Sequence, residues 1–180
     1  MANSKNTKSF GQSLKKLLPK FWKKESIPTN LSYPKEKQSL KRKGKSRPSL
    51  DSIMMGLAES LANRSHDPKH KVGCVITDAK RERVLGMGYN GGARGLSNAR
   101  DSMVSGHSGL IHAEANALIK CDYSHPEKVV FVTLSPCKVC AKMLVNANAT
   151  EVYYKEIYEY QALRILDKAG IKHGRFCSTA

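Results

Sequence analysis

Two short segments hold residue types that together can bind a metal ion and move a proton. His112-Ala113-Glu114 and Pro136-Cys137-Lys138-Val139-Cys140 offer an imidazole, a carboxylate and two thiols. Zinc prefers thiolate and imidazole donors, and a catalytic zinc keeps one position open for water. Cys137 and Cys140 stand three residues apart, so at a helix start their sulfurs share one face. The N-terminus of that helix favours negative charge and stabilises thiolates. Glu114, two residues past His112, is placed to take a proton from a metal-activated water and return it to a substrate nitrogen. Each piece alone has an ordinary reading: a redox dithiol, a histidine that caps a helix, a glutamate facing solvent.

The elements that must position these residues follow from hydrophobic spacing. Ser49 is a helix cap, with Asp51 favourable in the first turn and Ile53, Met54, Leu57, Ala58, Leu61 and Ala62 at helical spacing to about residue 64. Residues 72–78 and 83–89 read as two strands of a hairpin around a polar turn at 79–82. Gly91, Gly92 and Gly95 mark a loop, and 96–110 is small, polar and irregular. Helical pattern then covers 111–121, strand 128–134, helix 137–148, strand 151–154 and helix 160–169, the last stopped by Gly170. This alternation predicts an α/β fold, a mixed sheet with helices on its faces. His112 and Cys137 both fall at helix starts, and packing of those helices side by side would bring the three ligands to one ion.

Composition bounds the rest. The chain has 180 residues, 31 Lys and Arg and 15 Asp and Glu, for a net charge of +16. Residues 1–50 hold 14 of the cations against Glu25 and Glu36, a net +12, leaving 17 against 13, or +4, for the remainder. We therefore expect a basic, mostly disordered tail at 1–48, a zinc-dependent domain at 49–174 and a short C-terminal tail at 175–180. Within the tail, Phe10, Leu14, Leu17, Leu18, Phe21 and Trp22 form a helical stripe among lysines, interrupted by Pro19. The stripe reads as a transient helix in a solvated tail, as a membrane-surface, targeting or partner-binding helix, or as a nucleic-acid arm. No apolar run approaches the roughly 20 residues of a membrane span, which excludes a helical transmembrane protein. Five cysteines, an odd number, with a C-x-x-C pair and no secretory signal, predict a reducing, cytoplasmic setting.

H-x-E followed about twenty residues later by P-C-x-x-C is the signature of zinc nucleobase deaminases. Over about residues 50–172 the chain resembles the deoxycytidylate (dCMP) deaminase family of the cytidine deaminase-like superfamily. The resemblance also rests on Ala62-Asn63-Arg64-Ser65-His66-Asp67-Pro68, Val72-Gly73-Cys74, Gly88-Tyr89-Asn90-Gly91-Gly92-Ala93-Arg94-Gly95 and Glu151-Val152-Tyr153-Tyr154 with Tyr158. It implies a three-layer α/β/α fold with a mixed five-stranded sheet. It further implies zinc at His112, Cys137 and Cys140, Glu114 as the catalytic proton shuttle, and a homo-oligomer. Arg64 and Tyr158 match family positions near the substrate phosphate, and Asn90 matches one facing the sugar. Gly91 and Arg94 lie in a loop associated with nucleotide and effector contact. The chain departs from the pattern at Ala93, which replaces a proline, and at 96–106, which lack an acidic pair and a tryptophan. A second zinc at Cys74, His66, His70 or His107 has no tight spacing behind it.

The expected activity is hydrolytic deamination of a cytosine nucleotide, dCMP to dUMP and ammonia, a step in pyrimidine nucleotide biosynthesis. Two alternatives stand beside it. One is a polynucleotide deaminase acting on tRNA or single-stranded DNA, suggested by the basic tail, which could also contact a membrane. The other is a catalytically silent deaminase fold that serves as a binding module.

Overall fold

The computed structural model describes residues 47–177. The expectations placed on the basic tail and its apolar stripe lie outside these residues. Helix α1 (Leu50–Ala62) begins where Ser49 caps it, its hydroxyl accepting from the Ser52 N–H at 3.1 Å. Strands β1 (Gly73–Asp78) and β2 (Val84–Tyr89) form the predicted hairpin. Asp78 holds the turn by accepting from the N–H groups of Glu82 and Arg83. A long irregular segment leads to α2 (Ala113–Ile119), β3 (Lys128–Leu134), α3 (Lys138–Asn146), β4 (Ala149–Glu156), α4 (Tyr160–Lys168) and β5 (Lys172–Arg175).

The five strands make one mixed sheet in the order β2-β1-β3-β4-β5. β1 is antiparallel to both β2 and β3, whereas β3, β4 and β5 are parallel. Alternation along the central strands sorts the core into two faces. Cys74, Ile76, Val130 and Val132 point to the face covered by Ala113 and Ala117 of α2, Ala141 and Leu144 of α3, and Ala162, Leu163 and Leu166 of α4. Val75, Val129 and Phe131 point to the opposite face, against Met55 and Ala58 of α1. The result is the expected three-layer α/β/α architecture. Both central strands are buried on both sides, which is why they read as apolar runs without polar alternation.

Residue spacing predicts four strands, and the fifth differs for a clear reason. β5 is Lys-His-Gly-Arg, an edge strand paired with β4 alone and largely in contact with solvent, so its sequence carries no apolar pattern. α2 is also shorter than 111–121. Ile111 is engaged in a bridge with Gly91, and the helix starts only after His112. Among the described residues, no helix is long and apolar enough to cross a membrane.

Candidate metal centre and cavity

Strand direction decides where the chemistry gathers. β2 and β3 both oppose β1 and therefore run the same way, and β4 follows β3. The chain thus leaves β2 at Tyr89, β3 at Leu134 and β4 at Glu156 at one end of the sheet, the end where it enters β1 at Gly73. Ligands in open α/β sheets bind beyond the carboxyl ends of the strands. All the chemistry-bearing segments of the sequence are connections at this end.

His112 occupies the position before α2, with φ −68° and ψ 154°, and its ring makes no cap hydrogen bond. Cys137 occupies the equivalent position before α3, where its sulfur accepts from the Cys140 N–H at 3.5 Å. α2 lies close on β2 because Gly88 allows it: a Cβ there would stand 2.5 Å from both the Ala113 carbonyl oxygen and the Ala117 nitrogen. Asn116 Nδ2 also donates to the Tyr89 carbonyl at 2.9 Å. These contacts fix the height of His112 above the sheet end.

His112 Nδ1 lies 3.4 Å from Cys137 Sγ and 3.5 Å from Cys140 Sγ. The three donor atoms all fall within 4.8 Å of one another, the one such cluster of three among the described residues. Tetrahedral zinc with Zn–S of about 2.3 Å and Zn–N of about 2.0 Å separates its sulfur and nitrogen donors by roughly 3.5 Å. The donor set therefore fits zinc in both chemistry and spacing. Cys74, His66, His70 and His107 do not form a second cluster of three donors among the described residues. All five cysteines are free thiols.

The site is electrostatically coupled. The Cys137 thiol is drawn down to about 3, first by the hydrogen bond with Cys140, against burial, and then by His112. Cys140 moves the opposite way, pushed above the usual thiol range by the same hydrogen bond and by burial. The two thiols are thus strongly coupled, and a divalent ion would supply the charge that stabilises both as thiolates. The hydrogen bond to Cys137 raises His112, against burial, and the charge of Glu114 adds to the rise. Glu114 is 3% exposed, and burial pushes its carboxyl up to about 7.

His112, Glu114 and Cys137 line a cavity of about 550 Å³, including its open mouth. Asn90 and Tyr158 also line it. The Asn90 side chain uses both Nδ2 hydrogens, donating to Asp67 and to the His70 carbonyl, whereas Oδ1 accepts only from the Val72 N–H, at 2.8 Å, and keeps a second acceptor position. Arg64, Gly91 and Arg94 are not on its walls. Arg64 is exposed, with its guanidinium 5.6 Å from the Tyr89 ring centroid. Gly91 is buried and exchanges two hydrogen bonds with Ile111, which closes the neck of the loop between them. Arg94 is exposed on that loop.

Three cavity residues escape sequence reasoning. Asp67 and Arg100 form a buried ion pair at 2.6 Å with side chains only 3% and 6% exposed. The Ser105 and Tyr158 hydroxyls are hydrogen-bonded at 2.7 Å. Asp67 had a signal in Asp67-Pro68, a turn-forming pair. Arg100 and Ser105 lie in a stretch without periodicity and had none.

Residues 48–156 match the profile described as the cytidine and deoxycytidylate deaminase zinc-binding region. The deoxycytidylate deaminase of mycobacterium phage D29 is 36% identical over 125 residues, 61% of this chain and 96% of its own. That of Saccharomyces cerevisiae is 33% identical over 147 residues, 74% of this chain. The chain spans 46% of the yeast relative and 63% of a Caenorhabditis elegans one. Among solved structures, the dCMP deaminase of cyanophage S-TIM5 in complex with dCMP and dUMP superposes with a TM-score of 0.64 at 27% identity. The match covers 73% of this chain and all of that one.

Proposed function

This chain belongs to the cytidine and deoxycytidylate deaminase family, and from that premise we propose that it hydrolyses dCMP to dUMP and ammonia. One observation carries the reading. A buried carboxyl and a His-Cys-Cys donor set meet in one cavity at the carboxyl end of the sheet.

In this proposal His112 Nδ1, Cys137 Sγ and Cys140 Sγ hold zinc. Bound there, zinc would supply Lewis acidity and activate water toward C4 of the cytosine ring. Glu114 does the proton work. Burial favours the protonated form of the carboxyl, whereas a cation at the neighbouring donors would favour the carboxylate, so the side chain can both take and return a proton, which is what a general acid and base requires. Its carboxylate takes a proton from the water and delivers it to N3. It then takes the remaining proton from the hydroxyl added at C4, as that oxygen becomes the product carbonyl, and delivers it to the departing amino group. One water is consumed, the C4–N bond breaks and ammonia leaves. Enclosure of Glu114 keeps competing bulk water from these transfers. Asn90 and Tyr158, on the cavity wall, are the proposed contacts for sugar and phosphate. The dCMP and dUMP held by the cyanophage relative support this substrate class. Assembly of several copies belongs to the same reading.

The test is a substrate panel. Purified, zinc-loaded full chain is offered dCMP, dCTP, deoxycytidine and a cytosine-containing single-stranded oligonucleotide, with ammonia release as the readout. The highest kcat/KM is expected on dCMP. Release from none of them rejects a deaminase, and preference for the oligonucleotide replaces the proposed substrate by a polymer.

A further inference from the structure

A nucleotide substrate brings a phosphate, and the cavity has one fixed cation to meet it. Among its lining residues Arg100 is the only lysine or arginine. Arg100 comes from the segment between Gly91 and Ile111, where the chain departs from its family pattern.

Its guanidinium is held on two sides. Nη1 donates to Asp67 Oδ2 at 2.6 Å, and Nε donates to the Ser102 carbonyl at 3.0 Å. Nη2 makes no hydrogen bond to protein among the described residues. Asp67 is itself fixed by the N–H groups of Lys69 and His70 on Oδ1 and by Asn90 Nδ2 on Oδ2. Four donors saturate this carboxylate and spread its charge. The arrangement orients a buried guanidinium and leaves Nη2 as the donor for a ligand, a charge-assisted contact suited to a phosphate oxygen.

The neighbours fit the same ligand. His70, whose N–H binds Asp67, sets its ring 6.2 Å from that of Tyr158 in an edge contact. The Tyr158 hydroxyl in turn pairs with Ser105 at 2.7 Å. At the adjacent Gly106, φ is +81° and a Cβ would meet nothing within 4 Å, so the backbone lies open to an approaching group. Arg100, His70, Tyr158, Ser105 and Gly106 thus form one connected stretch of wall on the cavity that also holds Glu114.

We propose that Arg100, oriented by Asp67, recognises the 5′-phosphate of the nucleotide and sets the preference for nucleotide over nucleoside. The proposal rests on the deaminase reading above and deepens it. Arg100 is a specificity-determining residue here, and Asp67 is the residue that positions it.

The experiment compares wild type with Arg100→Met and Arg100→Lys, all zinc-loaded, on dCMP and on deoxycytidine. The readout is the ratio of the two kcat/KM values. Calorimetric binding of dUMP against deoxyuridine provides a measure independent of turnover. Losing one charge-assisted contact is expected to lower the ratio by between about tenfold and about a hundredfold in Arg100→Met, mainly through KM for dCMP. Lysine keeps charge but cannot span Asp67 and a phosphate together, so Arg100→Lys falls between. It also carries the comparison if Arg100→Met fails to fold. A ratio unchanged within about twofold overturns the proposal, because an arginine that merely ties down the loop harms both substrates alike. A wild type that releases ammonia from neither compound defeats the deaminase reading, and this proposal with it, before any variant is compared.

Discussion

The hydroxyl oxygen of Ser135 accepts a hydrogen bond from the backbone N–H of Tyr158 at 2.8 Å, and the Ser135 N–H donates to the Glu156 carbonyl at 2.8 Å. Ser135 is buried and lies two residues before Cys137. Its two bonds therefore lash the exit of β3, which leads to the thiols, to the exit of β4, which leads to Tyr158. Ser135→Ala leaves the Tyr158 N–H unpaired in a partly buried position, at a cost of about 1–3 kcal/mol. The expected result is a lower Tm with zinc still bound, and a KM for dCMP that rises more than kcat falls. A variant with normal Tm and normal KM would show that the bond positions nothing.

Glu114→Gln separates catalysis from metal binding. The side chain is not among the three donors of the metal cluster, and the amide keeps its size but cannot carry the proton. Turnover is expected to fall by about 10²–10⁴, the usual share of a general acid–base. Zinc content by elemental analysis is expected to stay at the wild-type level. Undiminished turnover would remove Glu114 from the chemistry.

Gly88→Ala tests whether the sheet positions the metal site. A Cβ at 88 collides with backbone atoms of Ala113 and Ala117, which cannot swing aside as a flexible side chain would. α2 must lift from β2, and His112 and Glu114 move with it. Overpacking of this kind costs about 1–3 kcal/mol. Displaced support around a ligand typically weakens metal affinity about 10–100-fold. Competition against a zinc chelator measures that loss, and unchanged affinity would mean that α2 does not need this contact.

The sequence discloses the metal centre more fully than the cavity around it. Cys137 and Cys140 are bound to one helical turn and His112 to the start of another, so local spacing brings the donors into view. Val129 to Val132 likewise disclose a central strand, because both faces of it are buried. Gly88 is different. Its meaning depends on a helix that begins 25 residues later, and nothing in its neighbours signals the contact. Arg100 and Asp67 are 33 residues apart, joined only because the segment from Gly91 to Ile111 folds back on itself. β5 is hidden for the opposite reason: backbone pairing with β4 makes it a strand, and its side chains add no apolar pattern.

The Asp67–Arg100 pair predicts how stability depends on pH. Burial raises the Asp67 carboxyl, but hydrogen bonds from the Lys69 N–H, Arg100 and the His70 N–H outweigh it and hold the group below the usual carboxylate range. In the unfolded chain the carboxyl returns to about 3.9. The stabilisation is therefore fully present above about pH 4 and is lost as pH falls through the lower native value. Asp67→Asn leaves Arg100 buried without its counter-charge, which costs about 3 kcal/mol at neutral pH. Because the amide does not titrate, that gap must narrow below about pH 4, where wild type alone loses stability at this position. Urea unfolding of both proteins at neutral and acid pH measures the two gaps, and a gap independent of pH would mean that folding does not shift the Asp67 carboxyl.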